Sequence, residues 1–133
     1  MSTRATGTFK IQDWEEKPYD EIEGGRKLTR SSVKQAFAGD VEGEGAVEWL
    51  MCYRPDQTAD FVGLQRIVGQ IEGRTGSFVL LQTEGTFDGK VARGRLSVVP
   101  GSGTGELEGL RGTGEFSAPH GGEPSISLDY DFD

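Results

Sequence analysis

The amino-acid sequence predicts an all-β protein that forms one domain, an eight-stranded antiparallel up-and-down β-barrel. Its 133 residues include 21 Gly and 5 Pro, which disfavours helices because each Gly inside a helix costs about 1 kcal/mol relative to Ala. Apolar and polar residues alternate with period two along most of the chain, as in strands. Short turn signals separate these runs, so neighbouring strands are expected to be antiparallel, and closure into a barrel removes the sheet edges. A β-sandwich is the alternative.

The first and the last strands show the clearest alternation. Ala5, Phe9 and Ile11 are separated by polar residues, and Leu128 and Tyr130 are separated by Asp129 near the end of the chain. Turn signals such as Gly39-Asp40 and Asp88-Gly89 punctuate the chain between them, because short hairpin loops need residues that adopt positive φ. The predicted strands cover residues 4–14, 29–38, 41–53, 59–70, 74–84, 86–99, 106–116 and 124–132.

Residues 15–28, between the first two strands, are predicted to form a long connection. This segment mixes charged residues with Pro18 and a pair of glycines. Long loops in compact domains are often lids or binding loops. We therefore treat the segment as a candidate lid that Trp14 and Tyr19 anchor over a barrel mouth. The alternative is a surface excursion without a function.

The central strands are apolar on two faces. The first half of 41–53 has one polar face, but its second half has none, and residues 59–71 and 75–84 likewise carry apolar residues on both faces. Strands of this kind are covered on both sides. Since a barrel covers only the inner side, we expect a homo-oligomer in preference to a partner protein.

A glycine-rich run, from Gly101 to Gly114, precedes and enters the seventh predicted strand. It does not qualify as a phosphate-binding loop, because it lacks the Gly-Lys-Ser/Thr ending and no helix follows it. We therefore predict no nucleotide and no other cofactor. Glycines inside strands mark bends or close backbone approach, and here they are interpreted as the bends that close a small barrel.

This glycine-rich run also carries a family resemblance. Residues 103–112 resemble the Gly-Thr-Gly-x-hydrophobic-x-Gly-x-x-Gly signature of plant dirigent proteins and allene oxide cyclases. The whole chain is similar to a bacterial family known only as a domain of unknown function. The stretches that carry this similarity are residues 5–9, 28–30, 73–80, 100–107 and 128–132.

The resemblance implies an allene-oxide-cyclase-like barrel without an established activity for the bacterial branch. In the plant relatives the barrel lumen holds an apolar reactive intermediate and steers its cyclisation or coupling. One departure concerns a Gln-His pair of the family, because Gln82-Thr83 stands in that place here. Any chemistry that depends on that histidine would be absent from this chain, which has Thr83 in its place.

Charge and composition exclude several classes of function. The net charge of −8 disfavours nucleic acid and anionic membranes as partners. Without a signal-like N-terminus or an apolar run of membrane-spanning length, we expect a cytoplasmic protein. The single cysteine, Cys52, lies in an apolar run and is predicted to be a buried, inert thiol. The single histidine, His120, is predicted to be a solvated loop residue, and no metal site is expected.

Candidate site residues are the aromatic or isolated polar residues inside apolar strand stretches. Glu48, surrounded by apolar residues, is a candidate acid or base with a raised pKa, assisted by Tyr53, or else an ion-pair partner of Arg66. The alternative is that the aromatic residues fill the core and the polar ones point outward. The candidate ligand-binding residues are Trp14, Tyr19, Trp49, Phe61, Gln65, Arg66, Phe78 and Gln82.

Three functions are compatible with these residues. The first is a barrel that binds a small hydrophobic molecule, as an isomerase or cyclase that confines an apolar intermediate. The second is a non-catalytic carrier or sensor of a hydrophobic metabolite. The third is an assembly protein with a filled barrel. The first two functions require an open lumen, whereas the third is expected if the lumen is filled.

Overall fold

The computed structural model describes residues 2–133 and contains eight β-strands and two short 3-10 turns. Every strand is antiparallel to its sequence neighbours, and β1 pairs with β8 to close the barrel. The eight-stranded up-and-down barrel is therefore confirmed, and the sandwich alternative is wrong. The strands are β1 (Thr3–Glu21), β2 (Lys27–Gly39), β3 (Val41–Tyr53), β4 (Ala59–Ile71), β5 (Arg74–Phe87), β6 (Val91–Val98), β7 (Leu110–Pro119) and β8 (Ser125–Phe132).

Most of residues 15–28 belongs to a hairpin arm and not to the predicted lid loop. β1 continues to Glu21, and a 3-10 turn over Glu23–Gly25 leads into β2. β8 pairs with β1 only over Thr3–Thr8, so the second half of β1 pairs with β2 alone. One edge of the arm is therefore unpaired, which is where a strand tolerates Pro18, since proline has no N–H to donate.

Two other strand boundaries also differ from the prediction. The predicted strand 86–99 is divided by a turn at residues 88–90. The Asp88 carboxylate stabilises this turn, because its Oδ1 accepts the backbone N–H groups of Lys90 and Val91 at 2.9 and 2.8 Å. The seventh strand begins at Leu110, four residues after the predicted start.

The glycine-rich connection between β6 and β7 covers one end of the barrel. Its backbone runs beside β5, where Thr104 N–H donates to the carbonyl of Ser77 at 2.9 Å, and Leu107 is fully buried in the core. A Cβ at Gly103 would lie 1.9 Å from the Leu107 carbonyl oxygen, so only glycine permits this close approach. The glycine-rich run therefore forms a cap over the barrel up to residue 109. The prediction that its glycines bend a strand is wrong for these residues, because β7 begins only at Leu110.

The two ends of the barrel differ. Because neighbouring strands run in opposite directions, the connections after β1, β3, β5 and β7 lie at one end, which we call the open end. The connections after β2, β4 and β6 lie at the other, closed end, and the last of these connections is the glycine-rich cap. No helix within residues 2–133 is long and apolar enough to cross a membrane.

The outward side chains of β3, β4 and β5 form an exposed apolar surface, called the outer apolar face below. In β3, Trp49 and Met51 point inward and are buried, so Leu50 and Cys52 point outward and are exposed. The prediction of a buried Cys52 is therefore wrong. The large apolar side chains of this face are 39–53% exposed, namely Leu50, Val62, Leu64, Val68 and Leu81.

Candidate functional site

A pocket of about 370 Å³ lies inside the barrel at its open end, and we call it the mouth pocket. Its walls come from β1, β3, β4, β5, β6 and β7 and from the turns at the open end. Most of the lining is aromatic or aliphatic. The lining residues are Phe9, Ile11, Trp14, Trp49, Met51, Tyr53, Phe61, Phe87, Lys90, Ala92, Phe116, Ala118, Pro119, His120, Gly121 and Pro124.

A layer of aromatic rings forms the floor of the mouth pocket. The ring centroid of Trp49 lies 5.2 Å from that of Phe61 and 6.2 Å from that of Phe116, and the last two are 6.2 Å apart. Trp14, from the hairpin arm, packs at 5.5 Å against Trp49. These separations are typical of favourable aromatic packing, so the floor is a rigid apolar surface.

One wall contains a polar cluster around Glu16. The Oε2 atom of Glu16 accepts the Tyr53 hydroxyl at 2.8 Å and the Thr29 hydroxyl at 2.7 Å. Its Oε1 atom accepts the indole N–H of Trp14 at 3.3 Å. Burial, followed by the hydrogen bond to Glu16, raises the pKa of Tyr53. Tyr53 is therefore a protonated hydrogen-bond donor at neutral pH and is poorly suited to act as a base.

The barrel is filled beneath this floor. Trp49 donates its indole N–H to Gln82, Gln82 donates to Gln65 at 2.9 Å, and Gln65 donates to Gln35. The three amide side chains are each 2% exposed, and the space between them amounts to about 10 Å³. That is room for one water molecule at most. The open volume is thus confined to the barrel mouth.

Four of the ten predicted site residues meet at the mouth pocket: Trp14, Trp49, Tyr53 and Phe61. Three others are buried away from it. Gln65 and Gln82 lie in the amide chain below the floor, and Phe78 is 1% exposed within the core. Phe78 thus fills the core, as the alternative interpretation predicts, whereas Gln65 and Gln82 are buried inside the barrel and do not point outward as that alternative expects.

Glu48 lies outside the barrel and contradicts the prediction of a lumen acid. It alternates with the inward Trp49, so its side chain points outward and forms an ion pair with Arg30 at 2.7 Å. Hydrogen bonds from Ser32 and Arg30 lower the pKa of Glu48, the opposite of the expected direction. Its predicted ion-pair partner Arg66 is also exposed, and instead donates to the Ser77 hydroxyl at 3.3 Å.

Tyr19 was predicted to anchor a lid, but it does not reach the mouth pocket. It is 60% exposed on the hairpin arm. It borders a different depression of about 400 Å³ on the outside of the barrel, beside Leu28, Leu50 and Val62. The arm therefore contributes Trp14 to the pocket lining, with Glu16 hydrogen-bonded to the Trp14 indole, and it does so as a strand.

Several pocket residues were missed by the sequence analysis. Phe87 and Phe116 lie in the parts of β5 and β7 nearest the open end, Phe9 lies within β1, and their inward positions in the alternation could have identified them. Glu16 was not identified because it falls in the segment predicted to be a loop. His120 was treated as an ordinary loop residue, yet it borders the pocket.

A second, broader depression of about 940 Å³ lies on the outer surface of β5 to β8 and β1. Its lining is dominated by hydroxyl and charged side chains, including Thr6, Thr86, Arg93 and Glu115. It lacks the aromatic enclosure of the mouth pocket, and small-molecule sites are mostly apolar. Within residues 2–133, no group of three or more His, Cys, Asp or Glu side chains is arranged to hold a metal ion.

The comparisons with known proteins agree with the fold. Residues 5–130 match the family described as "Protein of unknown function (DUF3224)". The chain is also similar to the crystal structure of a protein with unknown function from that family, from Shewanella oneidensis MR-1. The two share 32% sequence identity over 100% of this chain and 99% of the other, with a TM-score of 0.80. No curated protein matches the chain.

Proposed function

Because the chain belongs to the DUF3224 family, whose function is unknown, we propose a function from the site itself: the protein binds a small apolar molecule in the mouth pocket. The observation that carries the proposal is the aromatic pocket of about 370 Å³. Small-molecule sites are mostly apolar clefts of about 300–1,000 Å³ with a few polar groups. The mouth pocket has that size and that lining.

The pocket chemistry favours a carrier or sensor over an enzyme. Glu48, the predicted acid or base, is outside the barrel and paired with Arg30. Tyr53 is protonated and donates its hydroxyl to Glu16, so it is already engaged in a hydrogen bond. An isomerase or cyclase at this site would have to act through confinement between the aromatic walls.

Fluorescence titration with the neutral apolar dye N-phenyl-1-naphthylamine tests the proposal. Both tryptophans of the chain, Trp14 and Trp49, line the mouth pocket, so energy transfer from tryptophan to the dye reports dye bound to the protein, and the variants below assign it to the pocket. We expect saturable transfer in the wild-type protein. Absence of saturable transfer would contradict the proposal.

A pair of matched variants assigns the binding to the pocket. Ala118→Phe adds a ring to a half-buried residue of the pocket wall, whereas Ala36→Phe adds the same ring to a half-buried residue on the outside of β2. Dye binding should be lost in the first variant and kept in the second. Equal binding by both variants would show that the dye binds elsewhere. Circular dichroism of each variant serves as the control for folding.

We also propose that the chain forms a homo-oligomer through its outer apolar face. Arg66 lies within this face, and no carboxylate of residues 2–133 is within 4.0 Å of its guanidinium. Glu44, opposite Val68 on the neighbouring strand, is likewise exposed and outside these ion pairs. A face that carries apolar side chains and unpaired charges of both signs is self-complementary, so a second copy is the favoured occupant.

Light scattering after size exclusion tests this second proposal. Leu64→Lys places a charge in the centre of the outer apolar face, and Thr6→Lys places one on the polar outside of β1. We expect the wild-type protein and Thr6→Lys to be oligomeric at micromolar concentration and Leu64→Lys to be monomeric. A monomeric wild-type protein would refute the proposal.

A further inference from the structure

The charges around the mouth pocket differ from those of the rest of the chain. Acidic residues outnumber basic ones 22 to 14 overall. Among the residues that line the pocket there is no Asp or Glu, and the ionisable side chains are Lys90, His120 and Tyr53. Since Tyr53 is neutral, the pocket of an acidic protein is lined only by basic and neutral groups.

Lys90 and His120 lie together on one side of the rim. The backbone N–H of His120 donates to the carbonyl of Lys90 at 2.6 Å, which joins the β5–β6 and β7–β8 turns. No ion pair within residues 2–133 involves the Lys90 ammonium. The nearby Asp88 carboxylate instead accepts the backbone N–H groups of Lys90 and Val91. The Lys90 ammonium is therefore available to a bound molecule.

The carboxylate of Glu16, next to two lining residues, is already satisfied. Glu16 accepts hydrogen bonds from Trp14, Thr29 and Tyr53, and it is not itself one of the lining residues. The lining residues that can carry positive charge, Lys90 and His120, lie at the β5–β6 and β7–β8 turns, and the carboxylates of these turns, Asp88 and Glu123, do not line the pocket.

We infer that the ligand of the mouth pocket carries an acidic group on a compact apolar body. This inference rests on the proposed binding function. The apolar body lies over the rings of Trp49, Phe61 and Phe116, and the acidic group lies at the rim beside Lys90 and His120. Such a placement keeps the acid partly hydrated, so its desolvation cost is small, while the lysine supplies a charge-assisted hydrogen bond.

Two dyes that differ by one acidic group test this inference. N-phenyl-1-naphthylamine is neutral, and 8-anilinonaphthalene-1-sulfonate is the same ring system with a sulfonate. Energy transfer from Trp14 and Trp49 measures the binding of either dye, and loss of that transfer in Ala118→Phe assigns it to the pocket. An ion pair at a solvent-exposed rim changes affinity by about two- to fivefold. We expect the sulfonate dye to bind more tightly than the neutral dye by about that factor.

Variants then assign the preference to the rim. Lys90→Met removes the charge at the pocket, and Lys34→Met removes an equal charge from an exposed position of β2. We expect Lys90→Met to lose the preference for the sulfonate dye and to keep its affinity for the neutral dye. Lys34→Met should retain the wild-type preference.

The outcomes separate the inference from the function on which it rests. If neither dye gives saturable transfer, the proposed binding function fails and the inference fails with it. If both dyes bind with equal affinity, binding stands and the acidic ligand is refuted. A sulfonate preference that survives in Lys90→Met, or that disappears equally in Lys34→Met, refutes the role of the basic rim.

Discussion

Replacement of Gln65 by leucine should destabilise the barrel more than replacement of Gln35, the last amide of the same hydrogen-bonded chain. Gln65 is an interior member of this chain, which runs from Trp49 through Gln82 and Gln65 to Gln35. Gln65→Leu removes both the acceptor of Gln82 Nε2 and the donor to Gln35 Oε1. The change therefore leaves two buried polar groups without their partners.

The expected magnitude follows from counting these groups. A buried donor or acceptor without a partner costs about 1–3 kcal/mol, so two cost about 2–6 kcal/mol before the gain from the apolar leucine. We expect Gln65→Leu to lower the free energy of unfolding by about 2–4 kcal/mol, allowing for that gain. Gln35→Leu, at the end of the chain, deprives only Gln65 Nε2 of its partner. Its cost should be about 1–3 kcal/mol before the same gain.

The triple variant with leucine at positions 35, 65 and 82 makes the test sharper. It leaves only the indole N–H of Trp49 without an acceptor, so its cost should be smaller than that of Gln65→Leu alone, because replacing both partners avoids orphaned groups. Urea unfolding monitored by circular dichroism measures all variants. The reasoning is refuted if the triple variant costs as much as the sum of the single ones, or if Gln65→Leu costs no more than Gln35→Leu.

Three further predictions concern the cap, the closed end and the outer surface. Leu107→Ala, at a fully buried residue, should cost about 2–5 kcal/mol in urea unfolding, whereas Leu64→Ala, at a residue 53% exposed, should cost far less. Burial and the hydrogen bond to Glu72 raise the pKa of Tyr130 to about 12. The unfolded chain therefore loses this proton first, and stability should fall between pH 10 and 12. The fall should be shallower in Tyr130→Phe than in the exposed control Tyr19→Phe. Glu48→Gln should leave dye binding unchanged, because Glu48 lies outside the barrel. Loss of dye binding in this variant would place Glu48 at the pocket.

The strands could be predicted because inner and outer environments alternate with each residue. The same rule explains the failures in β3. The outward residues Leu50 and Cys52 are as apolar as the inward residues Trp49 and Met51. In this part of β3 the sequence pattern therefore does not indicate which face of the strand is buried. Glu48 was consequently placed in the lumen. Only the closed register of the whole barrel, in which Trp49 is opposite Gly63 on β4, decides the orientation.

The hairpin arm could not be predicted for a different reason. Its second half pairs with β2 alone and buries few side chains, so its residues 15–21 are nearly all exposed. Without a buried face, a strand has no hydrophobic pattern that distinguishes it from a loop. Pro18, tolerated on the unpaired edge, strengthened the loop interpretation. The Glu16 cluster of the pocket wall was lost with it.

Glycines inside the strands explain how the aromatic rings form a floor for the mouth pocket. Three floor or wall rings are directly opposite a glycine on the neighbouring strand, namely Trp49 with Gly63, Phe61 with Gly85 and Phe116 with Gly94. A Cβ at any of these glycines would lie 2.4–2.6 Å from the ring. Because the glycines have no side chain, each ring can lie over the neighbouring strand and need not project along the barrel axis. The rings thus form one layer, and the volume above that layer stays open.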